Sequence, residues 1–192
     1  IGRVFKKDIM IIIFIGPPFS GKDSQAKLLT SEFNIPVFSM GALIRQAYER
    51  KDPRGVEGFE QYSMRGLHVP IRLKFDLLKE KIEPTKGGFI IDNFPATQED
   101  LDTFKKYLIS KNLKIDHVFL IDISREEMIK RLTKRGRGDD QLDIVLKRRE
   151  IQDKDREPVI EYFKSQGLLR EIDGSGSIDE VHERVMRHIN NG

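Results

Sequence analysis

The chain has 192 residues, the length of about one domain and enough to bury a core. With 38% hydrophobic and 34% charged residues, it is too apolar for a disordered chain and too charged for a membrane protein. The absence of cysteine excludes a disulfide scaffold and a thiolate zinc site, and the net charge of +3 gives no argument for nucleic acid.

The first apolar run, residues 9–15, is far short of the roughly 20 residues that span a bilayer. Met10 opens it like an initiator, so residues 1–9 are expected to be a leader outside the fold, with no secretory signal in them. Residues 10–15 predict a buried strand, followed by a helix over 22–32 and a short strand at 37–39. Helices are expected at 41–51 and 71–83, then a strand at 89–92 and a helix over 98–111. A strand at 118–123, helices at 125–134 and 141–166, a weaker strand at 170–172 and a helix over 178–190 complete the chain. Strands separated by helices predict right-handed crossovers and one parallel sheet covered on both faces, an α/β domain. Ligands of such sheets sit beyond the carboxyl ends of the strands.

After the first strand comes Gly16-Pro17-Pro18-Phe19-Ser20-Gly21-Lys22-Asp23-Ser24-Gln25, running straight into a helix. Glycine, four residues, then Gly-Lys is the spacing that cradles phosphate. Backbone N–H groups curl around the oxygens, the helix start adds positive potential, and the lysine reaches the β and γ oxygens. The Ser24 hydroxyl can ligate Mg²⁺. Asp92 ends an otherwise apolar strand, where a carboxylate can hold Mg²⁺ through water or cap the next helix. Arg131 and Arg135 are four residues apart and share a helical face. Arg137 and Arg148 follow, and guanidinium forks suit phosphate oxygens.

The loop resembles that of adenylate kinase and its nucleoside monophosphate kinase relatives, which reads G-x-P-G-x-G-K-G-T-Q. The likeness continues through Ser39-Met40-Gly41-Ala42-Leu43-Ile44-Arg45, similar to S-T-G-D-L-L-R, and Gly66-Leu67-His68-Val69-Pro70, similar to G-x-L-V-P. It goes on through Asp92-Asn93-Phe94-Pro95-Ala96-Thr97, similar to D-G-F-P-R-T, and through 131–140 and 140–160, so it covers roughly residues 10–190. The resemblance implies a three-layer phosphate-loop fold with a parallel, five-stranded sheet, and transfer of the γ-phosphoryl of Mg·ATP to a monophosphate, AMP first. It implies that Gly16, Pro17, Phe19, Ser20, Gly21, Lys22, Asp23, Ser24, Gln25, Arg131, Arg135 and Gly176 hold ATP. It places the monophosphate on Ser39, Met40, Gly41, Arg45, Leu67, Val69, Asp92, Phe94, Asp100, Arg137 and Arg148. Lys22, Arg131, Arg137 and Arg148 are the expected catalytic cations. Residues 40–70 would be a mobile monophosphate-binding flap, and 135–141 a very short lid. A cytoplasmic monomer acting on small nucleotides, without nucleic acid or membrane partners, is the expected setting.

Several positions depart from the family pattern. Phe19 and Asp23 replace loop glycines, Met40 and Ala42 replace a hydroxyl and a carboxylate, and Ala96 stands where the family has a monophosphate-binding arginine. Arg65 and Arg72 are candidates to fill that place. Asp100 falls where a base-reading glutamine is expected; it either faces the base or is a solvated helix residue, with Gln98 or backbone reading the base. An ionised carboxylate only accepts hydrogen bonds, so AMP preference is expected to erode towards GMP or CMP. Two further readings stay open: a kinase for CMP, UMP or GMP, and a nucleotide-binding protein with little or no kinase activity.

Overall fold

The computed structural model describes residues 9–135 and 142–191. The expected leader lies almost wholly outside the described residues, as do Arg137 and all of the expected lid but its first residue.

Five strands, β1 (Met10–Ile15), β2 (Val37–Ser39), β3 (Gly88–Asp92), β4 (His117–Asp122) and β5 (Leu169–Asp173), form one sheet in the order β2-β3-β1-β4-β5. Every neighbouring pair is parallel. Each strand matches its expected position, with ends extended or shifted by one residue at β3, β4 and β5. Among the described residues eight α-helices accompany them: α1 (Lys22–Phe33), α2 (Met40–Glu49), α3 (Pro53–Glu57), α4 (Ile71–Ile82), α5 (Gln98–Ser110), α6 (Arg125–Arg135), α7 (Leu142–Ser165) and α8 (Ile178–Asn190).

The central strand explains the layers. Successive side chains of a strand point to opposite faces, and β1 is apolar at every position. Ile11, Ile13 and Ile15 join Leu78, Leu101, Phe104, Val159 and Phe163 in one core, under α4, α5 and α7. Ile12 and Phe14 join Ala26, Leu29, Val181 and Val185 in a second core, under α1 and α8. Each large buried side chain contributes about 1.5–3 kcal/mol relative to exposure, so a β1 buried on both faces anchors the domain.

This layering also locates the site. β1 leads into α1 on one face, and its neighbour β3 leads into α5 on the other. Chains leaving two adjacent strands in opposite directions open a crevice at their carboxyl ends.

The segment 50–70 holds the one missed helix. Pro53, Gly55 and Gly58 are residue types that suit loops, yet Asp52 caps α3 by accepting the Arg54 N–H at 2.9 Å, and Pro53 fits the first turn. Gly55 is there for closeness, because a Cβ would collide with the backbone of Ala47 and Tyr48 on α2. A single π turn (Gly58–Tyr62) and a 3₁₀ turn (Ser63–Arg65) carry the chain on towards α4.

Candidate active site

Lys22, just after β1, and Asp92, at the end of the adjacent β3, come together at the crevice. Lys22 opens α1 and is 9% exposed; its ammonium donates to the Pro17 carbonyl at 2.7 Å and to Ser20 Oγ at 3.3 Å. Burial pushes its pKa down to about 8, and nearby Arg156 adds to this, against the opposing pull of Asp92, Asp23 and Asp153. Asp92 ends β3 and is 8% exposed. Burial raises its pKa, opposed by Lys22 and by the Ser39 hydroxyl. Ser39 precedes α2 but its side chain does not cap that helix. Nor does Asp92 cap α5: Thr97 does, accepting the Asp100 N–H at 3.2 Å. One oxygen of Asp92, Oδ1, is buried without a hydrogen-bond partner.

The loop carries two conformational signatures. Gly21, the cap of α1, has φ +98 and Gly16 has φ +146, values that favour glycine. Phe19 adopts φ +63, where the family motif has glycine, at a cost of about 1–3 kcal/mol for a bulky residue. Its ring is partly buried against Ile123, Met128, Leu132 and Val145, which offsets that strain. Asn93 likewise sits at φ +63 in place of a family glycine, a conformation that asparagine tolerates better than most residues.

Arg131 ties the loop to the opposite wall. It donates to the Phe19 carbonyl at 3.1 Å and the Gly174 carbonyl at 2.8 Å, while its Nε pairs with Glu127 at 2.8 Å. Gly176, φ +96, lies in the loop after β5, whose carbonyls at Asp173 and Ser175 accept from Arg184. Arg135 ends α6. Arg148, on α7, donates to the Ser63 carbonyl at 3.2 Å, which joins α7 to the expected flap. Arg45 is exposed on α2, near Gly41. Leu67 is 40% exposed, whereas Val69 packs against Ile44, Ala47 and Leu77.

Several expectations need correction. The Gln25 side chain is spent on α8, donating to the Ile178 carbonyl at 2.9 Å and meeting His182 Nδ1 at 3.0 Å; it is structural. The Met40 side chain is buried in the core, and so is the Phe94 ring, so what either offers a monophosphate is backbone. Asp100 is not a free carboxylate. It is 1% exposed, pairs with the Lys74 ammonium at 2.8 Å and accepts the Ala96 N–H at 3.0 Å. Gln98, the other base-reading candidate, is engaged with Asp102 at 2.9 Å. Asp23 is exposed and paired with Lys27 at 2.8 Å, so its place in the loop also rests on backbone. The two candidates for the missing arginine are occupied elsewhere, Arg65 by Gln61 at 3.1 Å and Arg72 by Glu57. His68 is largely buried, and its Nε2 lies 3.4 Å from Asp155.

Sequence reasoning missed Lys74, Arg149 and Arg156. Arg149 donates to the Ile123 carbonyl at 2.9 Å and pairs with Asp153 at 3.2 Å; Arg156 donates to the Gly16 carbonyl at 3.1 Å. Their only sequence signal is helical spacing from Asp153, which any solvated helix offers.

A glycine-cornered loop, a buried lysine, a strand-end carboxylate and encircling arginines define a phosphate-loop nucleotide kinase. A sequence model of adenylate kinase matches residues 14–168. The adenylate kinase of Clostridium acetobutylicum is 32% identical, over 92% of this chain and 97% of that protein. Those of Geotalea uraniireducens and Pyrococcus abyssi are also 32% identical, over 94% and 92% of this chain and 98% and 94% of theirs. The chain belongs to the adenylate kinase family and is a nucleoside monophosphate kinase, an ATP-dependent phosphotransferase. Among the described residues no helix is long and apolar enough to cross a membrane.

Proposed function

We propose that the protein transfers the γ-phosphoryl group of Mg·ATP to AMP, giving two ADP, with Lys22 as the cation that follows the transferred group. The observation that carries this reading is the buried Lys22 ammonium beside the buried Asp92 carboxylate, at the mouth of a phosphate-type loop. The ammonium rests on Pro17 and Ser20 and can exchange those neutral acceptors for phosphate oxygens. Residues 16–24 hold the ATP phosphates mainly through backbone. Ser39, Gly41, Arg45 and the turn 92–96 form the acceptor side, with Leu67 and Val69 closing over it as part of a flap.

An acceptor phosphate oxygen forms the new bond to the γ phosphorus as the bond to the β-bridging oxygen breaks; alignment and charge do the rest. Arg131 reaches the loop at the Phe19 carbonyl and Arg148 reaches the Ser63 carbonyl, with Arg135 and Arg137 between them in the sequence. Arg131 and Arg148 can exchange the carbonyls they hold for developing phosphate charge, and Arg135 and Arg137 are proposed to add theirs. Mg²⁺ would be held by the Ser24 hydroxyl and, through water, by Asp92, whose unpartnered Oδ1 suits a water of the metal shell. A bound Mg²⁺ would supply positive charge that offsets the charge of the polyphosphate. A soluble monomer in the cytoplasm completes the reading.

One specific observation favours a second acceptor. Ala96 and the Lys74–Asp100 pair take the places of the family's arginine and glutamine, so a monophosphate other than AMP is the alternative. A coupled assay of AMP, GMP, CMP and UMP with Mg·ATP decides. AMP turning over fastest supports the proposal, another preferred acceptor supports the alternative, and ATP binding without turnover overturns both.

A further inference from the structure

The phosphate loop has a mechanical weakness written into its sequence. Pro17 and Pro18 have no N–H. This part of the loop therefore meets its surroundings through carbonyl oxygens. The Pro17 carbonyl accepts from Lys22 at 2.7 Å, and the Gly16 carbonyl accepts from Arg156 Nη2 at 3.1 Å. Lys22 is a temporary partner, because the proposed reaction draws its ammonium to phosphate. Arg156 is then the side chain, among the described residues, that still holds residues 16–18 by a hydrogen bond.

Arg156 is poorly explained as packing. Its side chain on α7 is 3% exposed, Nη1 pairs with Asp153 Oδ1 at 2.8 Å, and Nε is buried with no hydrogen-bond partner. A buried guanidinium with an unmet donor costs stability, and a well-packed apolar side chain of similar volume would avoid that cost. The contact is also geometrically constrained. A Cβ on Gly16 would collide with the Ile121 carbonyl, so the loop begins pressed against β4 with its own carbonyl in the guanidinium's reach. At the far side of the bend Arg131 takes the Phe19 carbonyl at 3.1 Å. Two arginines from separate helices thus brace the loop from outside, at residues 16 and 19.

We propose that Arg156 is a positioning residue for phosphoryl transfer: it keeps residues 16–18 in place through the Gly16 carbonyl when Lys22 leaves Pro17 for the polyphosphate of ATP. This rests on the kinase reading above. Arg156 touches no substrate in this role; it acts through the loop.

The test is calorimetric ATP binding without acceptor, together with steady-state kinetics, in Arg156→Met, Arg156→Lys and Asp153→Asn. Arg156→Met removes a charge-assisted hydrogen bond, so ATP affinity is expected to fall about 10- to 100-fold, with the acceptor KM within about threefold. Its melting temperature should hold or rise. Arg156→Lys should recover part of the loss, since an ammonium can still reach Gly16 but lacks the fork that spans Gly16 and Asp153. Asp153→Asn leaves Arg156 present but less firmly held, and should weaken ATP about threefold in the same direction. Wild-type ATP affinity and kcat in Arg156→Met overturn the proposal; if that variant fails to fold, wild-type values in both other variants do so. A wild-type protein that binds ATP but transfers to no monophosphate overturns the kinase reading alone, because the binding measurement needs no acceptor.

Discussion

Lys22 shows how a functional charge is held at the expense of stability. Among the described residues its ammonium donates to two neutral oxygens, and burial brings its pKa from 10.5 down to about 8 against the pull of nearby carboxylates. The difference corresponds to about 3 kcal/mol. Lys22→Met is therefore expected to abolish phosphoryl transfer and yet stabilise the empty protein by about 1–3 kcal/mol. The gain stays below the full figure because Asp92 loses a neighbouring cation. Urea unfolding alongside the coupled assay checks both halves, and a variant that turns over normally, or unfolds more easily, contradicts this account. The lysine was legible in the sequence because its spacing from two glycines specifies a backbone shape. The Arg156 contact was not, because nothing local to residues 150–160 encodes the proximity of a loop 140 positions away.

Elements were legible wherever one period dominated. Five strands and seven helices could be read from their patterns, while α3 was hidden because its proline and glycines also suit loops. Two-element features were harder. The Asp100 carboxylate joins α5 to Lys74 on α4 and to the Ala96 N–H in the turn after β3, so one buried pair fastens three pieces of the acceptor side. A sequence comparison sees glutamine replaced by aspartate and infers a change in base reading; it does not see the lysine 26 residues earlier that claims the carboxylate. Breaking one partner strands the other charge. Lys74→Met is expected to cost about 3–5 kcal/mol, and Lys74→Met with Asp100→Asn to recover most of it, since asparagine can still accept the Ala96 N–H. Denaturant midpoints of the single and double variants test the strut. If Lys74→Met costs less than about 1 kcal/mol, the pair does not fasten these elements.

At the scale of the whole molecule, burial shifts several groups away from their usual titration ranges, and stability should depend on pH accordingly. Burial lowers the pKa of His68 and of His117 below the ordinary 6.5, so the unfolded chain binds protons first as pH falls. Stability therefore declines below about pH 6.5. Asp52 acts in the same sense further down: Arg54 holds its carboxyl near 2, and its contribution is lost as pH falls from 3.8 towards that value. Lys22 acts on the alkaline side. Its folded pKa of about 8 lies below the unfolded 10.5, so between these values the unfolded chain carries the extra proton. Stability rises with pH wherever the unfolded state binds more protons, and the burial cost of the ammonium is released across that window. A bound polyphosphate reverses this, because an anion against the ammonium draws its pKa back up. Calorimetric melts from pH 6 to 10 are expected to show an alkaline contribution of about 3 kcal/mol in the empty protein, absent in Lys22→Met and suppressed by saturating tripolyphosphate. Identical pH profiles for the wild type and Lys22→Met would mean that the ammonium is solvated before nucleotide arrives, and that the loop does not hold it in a buried, strained state.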